Sequence, residues 1–416
     1  TEECHQPPGC RLAQDGGLLR GHHSWNAGRM TENWQRAGFG LYIHWPFCAA
    51  KCPYCDFNSH VTTMVDQVRW RDALLRDLAH WAGKTEGRVL SSIFFGGGTP
   101  SMMPPDTVAA LIDAARRHWT PANDLEITLE ANPTSVDAAR FAGYVDGGVN
   151  RFSVGLQALN DDDLRALGRL HTVAEGRRAF DIARDLTDRV SFDLIYARQG
   201  QALADWQTEL TAALKIAGEH LSLYQLTIED GTAFSARYAA GGLAGLPDED
   251  LSVDLYELTQ DLCGAAGLPR YETSNHSRPG RECRHNLIYW RGGDWVGIGP
   301  GAHGRLSLFD GRWSTVAEKM PQAWLVESEM VGTGNKAMNI LPQTDISDEY
   351  VLMGLRTREG MDLAHLDRIG GRLDPAGLAE MVGDGHLQLH DGWLKTTESG
   401  ALLLNAVLRK IVAVDP

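Results

Sequence analysis

Tyr42-Ile-His-Trp-Pro-Phe-Cys-Ala-Ala-Lys-Cys-Pro-Tyr-Cys-Asp-Phe-Asn58 sets Cys48, Cys52 and Cys55 apart by gaps of three and two residues, directly after an apolar, β-rich run. Three thiolates this close can each take one iron of a [4Fe–4S] cube, which leaves the fourth iron without a protein ligand. Zinc usually takes paired C-x2-C hooks and four closed ligands, and the remaining cysteines, Cys4, Cys10, Cys263 and Cys283, are scattered singly. A disulfide would leave one of the three cysteines over, and an intact cluster requires a reducing compartment.

The C-x3-C-x2-C spacing after an apolar strand resembles the signature of the radical S-adenosylmethionine (SAM) superfamily. The resemblance implies that the bare iron is chelated by the amino and carboxylate groups of SAM, and that the cluster's electron cleaves SAM to a 5′-deoxyadenosyl radical.

The chain has 416 residues, 43% of them hydrophobic, enough to bury one large core and a smaller one. Its formal net charge of −15 argues against a surface built to neutralise nucleic-acid phosphates, so no nucleic-acid partner is expected. No apolar run approaches the roughly 18 residues that cross a bilayer, and the chain does not open in the basic-then-apolar order of a signal peptide; a cytoplasmic protein is expected. Residues 1–38 lack periodicity and read as an unstructured or artefactual extension, with Met30 as the natural start. Cys4, Cys10, His5, His22 and His23 lie in that stretch without forming a recognised metal hook.

From residue 40, short β-rich runs (40–44, 90–95, 125–130, 151–155, 190–196 and 221–228) alternate with helical patterns (64–83, 105–118, 136–145, 161–168, 173–185 and 203–217). Ser135 and Thr172 are expected as N-caps. This order predicts a parallel α/β fold whose right-handed crossovers curl the sheet. The superfamily resemblance implies an incomplete (β/α)6 barrel with its chemistry at the carboxyl ends of the strands. The expected division is a barrel with its associated motifs over 39–305 and an accessory domain over 306–416. From about residue 345, helices, a hairpin turning at Asp391-Gly392 and a helix over 397–412 resemble a small winged-helix-like domain.

Phe94-Phe-Gly-Gly-Gly-Thr-Pro-Ser101 ends the second strand, and its glycines let backbone approach a polar ligand closely. Glu130, Gln157, Arg169 and Asp193 stand at or after later strand ends, where carboxylate, amide and guanidinium groups suit ribose hydroxyls and the SAM ammonium and carboxylate. From about Gly40 to the C-terminus this set resembles the coproporphyrinogen III dehydrogenase family of radical-SAM proteins. The resemblance implies that Cys48, Cys52 and Cys55 hold the cluster, and that Tyr42, Tyr54, Gly97, Gly98, Thr99, Glu130, Gln157, Arg169 and Asp193 contact SAM. After Tyr196, Ala-Arg-Gln-Gly-Gln201 replaces the Gly-Leu-Pro usual in that family.

Where the coproporphyrinogen-oxidising branch has a fourth cysteine, this chain has Phe57, and Cys55-Asp-Phe-Asn58 resembles the heme-chaperone branch instead. His285-Asn-Leu-Ile-Tyr-Trp290 is similar to that branch's H-N-x-x-Y-W heme-binding motif, which implies His285, Tyr289 and Trp290 as heme contacts. Gly297-Ile-Gly-Pro-Gly-Ala-His303 should turn near the cluster mouth and offers His303 as a second iron-ligand candidate. The resemblance thus implies a heme chaperone with three cofactors, [4Fe–4S], SAM and heme, handing heme to a membrane-associated or respiratory acceptor. The alternative is an oxygen-independent coproporphyrinogen III dehydrogenase, which uses the radical to decarboxylate propionates in porphyrin biosynthesis.

Overall fold

A computed structural model describes residues 32–62 and 64–412. Most of the expected N-terminal extension, including Met30, Cys4 and Cys10, lies outside them; its last described part is a short helix, Glu32–Ala37.

Six parallel strands follow one another across the sheet in chain order: β1 (Phe39–Trp45), β2 (Val89–Gly97), β3 (Thr120–Ala131), β4 (Arg151–Gln157), β5 (Val190–Tyr196) and β6 (His220–Gln225). Each alternates. Ile93, Ile127, Phe152 and Phe192 are fully buried in the main hydrophobic core. Ser92, Glu126, Arg151 and Ser191, at alternating positions in the same strands, are also buried, although polar. A sheet with both faces covered but one of them polar encloses a chamber rather than a second oily core. Helices α1 (Gln67–Lys84), α2 (Pro105–His118), α3 (Ala138–Asp146), α4 (Asp161–Ala166), α5 (Val173–Leu186) and α6 (Leu203–Ile216) occupy the crossovers. Thr172 caps α5 in a capping box with Glu175. Ser135 does not cap α3; Asp137 does, because Ser135 sits in a 3-10 turn with its hydroxyl 2.6 Å from that of Ser101.

The sheet continues past both ends of this arc. β7 (Asn275–Ser277) runs antiparallel to β6, and β8 (Asp294–Ile298) pairs parallel with β1, Tyr42 opposite Gly297. Antiparallel β9 (His303–Leu308), β10 (Gly311–Ala317) and β11 (Asn335–Ile340) complete eleven strands in the order β11-β10-β9-β8-β1-β2-β3-β4-β5-β6-β7. The order is linear: no pairing among the described strands closes the arc into a ring.

The domain boundary expected after residue 305 falls inside β9, whose Leu306 belongs to the main core, as do Trp324 and Leu325 further on. A separate core begins with Tyr350 and includes Leu366, Leu394 and Leu408. Around it lie helices Gln343–Gly354, Leu363–Arg368 and Pro375–Gly383, the hairpin Leu387–His390 with Trp393–Thr396, and Met361–Asp362 as a third strand. The hairpin turns at Asp391 and Gly392, both with positive φ (50° and 81°), as a two-residue primed turn requires. The helix expected over 397–412 is broken at Leu403 into Glu398–Leu402 and Leu404–Ile411.

One buried ion cluster fastens β8 and the β9–β10 hairpin to the rest of the sheet. Asp294, fully buried, accepts from Arg88 at 2.6 Å, Arg312 at 3.0 Å, and the Ser307 backbone and hydroxyl at 2.6 and 2.9 Å. Asp294→Ala leaves two buried guanidiniums without their carboxylate, so an expected loss of about 3–5 kcal/mol should be read in urea unfolding. A loss below about 1 kcal/mol would mean that water replaces the carboxylate.

Candidate functional site

The carboxyl ends of all six strands line one cavity of about 360 Å³. Flat strands about 4.8 Å apart would put β1 and β6 roughly 24 Å from each other, so a shared cavity of this size requires the curl. Its lining includes Cys48, Cys52 and Cys55 from the loop after β1, Gly97–Thr99 after β2, Glu130 of β3, Gln157 of β4, Asp193 of β5 and Tyr224 of β6.

Local hydrogen bonds shape the cysteine loop. Phe47–Cys48 pairs in parallel with His60–Val61, and the Cys55 N–H donates to the Cys52 carbonyl at 3.1 Å. The Gly98 and Thr99 N–H groups donate to the Trp45 and Phe47 carbonyls at 2.7 and 2.9 Å, stitching the glycine motif to the chain that enters the loop. The Thr99 hydroxyl donates to the Cys48 sulfur at 3.3 Å and Arg169 Nη1 to the Cys52 sulfur at 3.4 Å. Burial pushes the Cys48 and Cys55 thiols up, opposed by the Thr99 hydroxyl on the first and the Phe57 N–H on the second. All five described cysteines are free thiols. Among the described residues no three His, Cys, Asp or Glu side chains converge on a single-ion position. A cube sets its thiolates on separate irons and does not need them to converge.

Arg169 also donates from Nη2 to the Gly155 carbonyl at 3.1 Å, and its buried Nε has no partner. Gln157 has a φ of 73°, in the left-handed region, at a register break between β4 and β5. Such a bulge re-aims a side chain at a sheet rim, at the cost of backbone strain. Asp193 accepts from the Ser153 hydroxyl at 3.0 Å. Burial, and then the neighbouring Asp193 charge, push the Glu130 carboxyl up to about 8. Two acids held against ionisation, an orphan guanidinium N–H and donors aimed at the thiols fit a cationic amino acid derivative bound beside a thiolate-held cluster.

Two expected contacts are placed otherwise. Tyr42 does not line the cavity: its hydroxyl is 3.1 Å from His44 Nδ1 and its ring stacks on Phe94 and His285. His285 is buried and offers no free nitrogen to a porphyrin, since Nδ1 lies 2.8 Å from the Ser92 hydroxyl and Nε2 2.6 Å from the Tyr289 hydroxyl. Burial also pushes its imidazole down to about 3, so it is neutral. Its helix, Arg284–Trp290, fills the arc from beneath the cavity, with the Arg284 N–H donating to Glu126 at 2.9 Å. Tyr289 packs on Trp295, and Trp290 is half-buried. The histidine and tyrosine therefore do share a helical face, but that face is turned into the barrel.

The sequence reading missed a brace. His44, neutral with its imidazole pushed down to about 4 by burial, has Nε2 2.9 Å from the Asn58 carbonyl. The Asn58 amide in turn donates to the Pro300 and Lys319 carbonyls, each at 2.9 Å. It thereby ties the cysteine loop to the turn after β8. The only hint in the sequence is the nearness of Asn58 to Cys55.

Comparison with known proteins agrees with this geometry. The model of the radical SAM superfamily matches residues 42–210, and that of the HemN C-terminal domain matches residues 341–403. Heme chaperone HemW of Escherichia coli (strain K12) is 37% identical over 90% of this chain and 98% of its own length. The mitochondrial radical S-adenosyl methionine domain-containing protein 1 of Danio rerio is 34% identical over 89% of this chain and 86% of its own length. Among solved structures, coproporphyrinogen III oxidase (HemN) from Escherichia coli superposes with a TM-score of 0.76 over 92% of each chain at 20% identity, a likeness of fold. The chain belongs to the radical SAM superfamily, in the family of heme chaperone HemW and radical S-adenosyl methionine domain-containing protein 1. A [4Fe–4S] cluster and SAM are the cofactors of that class.

Proposed function

We propose that this protein is a heme chaperone, binding heme and passing it to an acceptor protein, membrane-associated or respiratory, while a cluster and SAM in the cavity gate the transfer. The observation that carries this reading is the 37% identity to heme chaperone HemW over 90% of the chain. Phe57 at the position of the oxidase branch's fourth cysteine supports it. Cys48, Cys52 and Cys55 would hold the cluster; Gly97, Gly98, Thr99, Glu130, Gln157, Arg169 and Asp193, with Tyr54 beside them, would hold SAM, and Tyr42 would act from behind through His44. The bound cluster and SAM supply one-electron chemistry. The protein's own groups orient SAM and shield it from water. We place the protein in the cytoplasm; no described helix is long and apolar enough to cross a membrane. We also propose that the barrel unit runs to residue 340 and the accessory domain starts at 341. Anaerobic reconstitution followed by parallel assays of hemin transfer to an apo-hemoprotein and of coproporphyrinogen III decarboxylation tests the function. Transfer without decarboxylation is expected; decarboxylation without heme binding would replace the chaperone by a dehydrogenase.

The raised Glu130 carboxyl gives a second test. At pH 7 it is mostly protonated in the SAM-free protein, because its value near 8 lies above the pH. A cationic ligand favours the carboxylate, so SAM binding should release up to about one proton, and affinity should rise with pH by up to about tenfold per unit until pH 8, then level off. Calorimetry in buffers of different ionisation enthalpy measures the release, and Glu130→Gln should lower it by the carboxyl's share, leaving the proton that the SAM amino group gives up on ligating iron. Equal release from both proteins would remove Glu130 from the SAM site.

A further inference from the structure

The stretch Ala197-Arg-Gln-Gly-Gln201 follows β5 and buries a charged side chain behind the wall of the cofactor cavity. The Arg198 guanidinium, 6% exposed, pairs with Glu209 of α6 at 2.6 Å and with Asp163 of α4 at 2.9 Å, and its Nη1 donates to the Ile195 carbonyl at 2.5 Å. Gln201, also buried, closes the cluster: its side-chain oxygen accepts from the Arg198 N–H at 3.2 Å, and its amide donates to Glu209 at 3.3 Å. None of these four side chains lines the cavity.

Each partner of the guanidinium leads to a segment that does. Glu209 accepts from the Leu159 N–H at 2.7 Å, two residues past Gln157. Asp163 stands beside Leu164, whose carbonyl accepts from the Arg169 N–H at 2.8 Å. Ile195 lines the cavity just beyond Asp193, and it packs with Leu164, Leu167 and Phe234 in a small apolar cluster against which Tyr54 rests. A single buried cation thus spans β4, α4 and β5 where each delivers a residue proposed to hold SAM.

The backbone beside it is strained. Ala197 has a φ of 58°, in the left-handed region that a Cβ disfavours. It is pinned on both sides, by the Leu226 N–H on the Tyr196 carbonyl at 2.9 Å and by the bonds that hold Arg198 to Ile195 and Gln201. Strain of this kind persists only where the surroundings over-determine the conformation.

We propose that Arg198 is a positioning residue for SAM: by clamping Ala197 in its strained conformation and tying α4 and α6 to the end of β5, it presents Gln157, Arg169 and Ile195 to the ligand in one fixed arrangement. The proposal rests on the reading of the cavity as the SAM site.

Equilibrium dialysis of labelled SAM against the full-length, cluster-loaded protein tests it, with iron content and circular dichroism to report cluster and fold. Arg198→Met is expected to weaken SAM binding about tenfold, the scale on which a residue acts through others, and to keep its full iron content. Ala197→Gly should leave the affinity of the otherwise unaltered protein as it is, and should recover most of the loss when added to Arg198→Met, because glycine takes a positive φ without a clamp. A general loss of stability would not be rescued in this way. Arg198→Lys keeps a cation beside Glu209 without the fork that reaches three acceptors; it replaces Arg198→Met if that variant does not fold, and should weaken SAM binding in the same direction. If the folded, cluster-loaded variant binds SAM as tightly as the unaltered protein, or if Ala197→Gly recovers nothing, the positioning role falls and the SAM site stands. If the unaltered, cluster-loaded protein binds no SAM, the SAM site falls and the positioning role falls with it.

Discussion

Cys48→Ala, Cys52→Ala and Cys55→Ala are each expected to yield a folded protein that retains no stoichiometric iron or sulfide after anaerobic reconstitution, and none of the visible charge-transfer absorbance of a cluster. On the proposed assignment each thiolate serves one iron of a cube that already has one iron without a protein ligand, so a second vacancy would expose the cluster to loss. The loop should persist without its metal, because its shape comes from backbone bonds, with Gly98 and Thr99 held to Trp45 and Phe47 and the Asn58 amide held to two carbonyls. Cys263→Ala and Cys283→Ala should keep full iron content. Cys263 is buried in the main core, and Cys283 faces Glu126 at 3.6 Å inside the barrel. Iron and sulfide analysis decides the matter; an iron requirement for Cys283 equal to that for Cys55 would sink the three-ligand assignment.

Gly98→Val is expected to abolish SAM binding and to impair cluster loading as well. A Cβ at Gly98 would stand 2.9 Å from the Phe47 carbonyl oxygen and 3.0 Å from the Trp45 carbonyl oxygen, both backbone atoms. Backbone cannot swing aside as a side-chain tip can, so the glycine motif and the segment entering Cys48 must separate. The hydrogen bonds from Gly98 and Thr99 to that segment would be lost with the contact. The motif thus serves the loop as well as the ligand. Equilibrium dialysis with labelled SAM and iron analysis on the same sample read the two effects; a fully loaded cluster with unchanged SAM affinity would refute both.

How far the sequence could be read depends on the range of the forces at each residue. Thr172 and Glu175 announce the start of α5 because a capping box is complete within four residues. Asp391-Gly392 announces a hairpin because both residues tolerate the positive φ of the turn. Ser135 misled because Ser, like Asp, serves as a cap, and the bond that diverts its hydroxyl comes from Ser101, far off in sequence. The boundary expected at 305 failed to show the hairpin that continues the sheet, since β9 and β10 carry no mark of which edge they join.

The triad of thiols, the alternation of strands and helices and the polar groups at strand ends were determined by the sequence alone, because spacing, periodicity and capping act between near neighbours. Which faces those groups present was decided only by the tertiary structure. The insertion of β8 beside β1 carries the helix Arg284–Trp290 under the cavity, turns His285 inward between Ser92 and Tyr289, and leaves His303 outside. A histidine four residues from a tyrosine reads the same on an inward or an outward face of a helix. Only the packing of distant strands fixes whether its nitrogens meet protein or solvent.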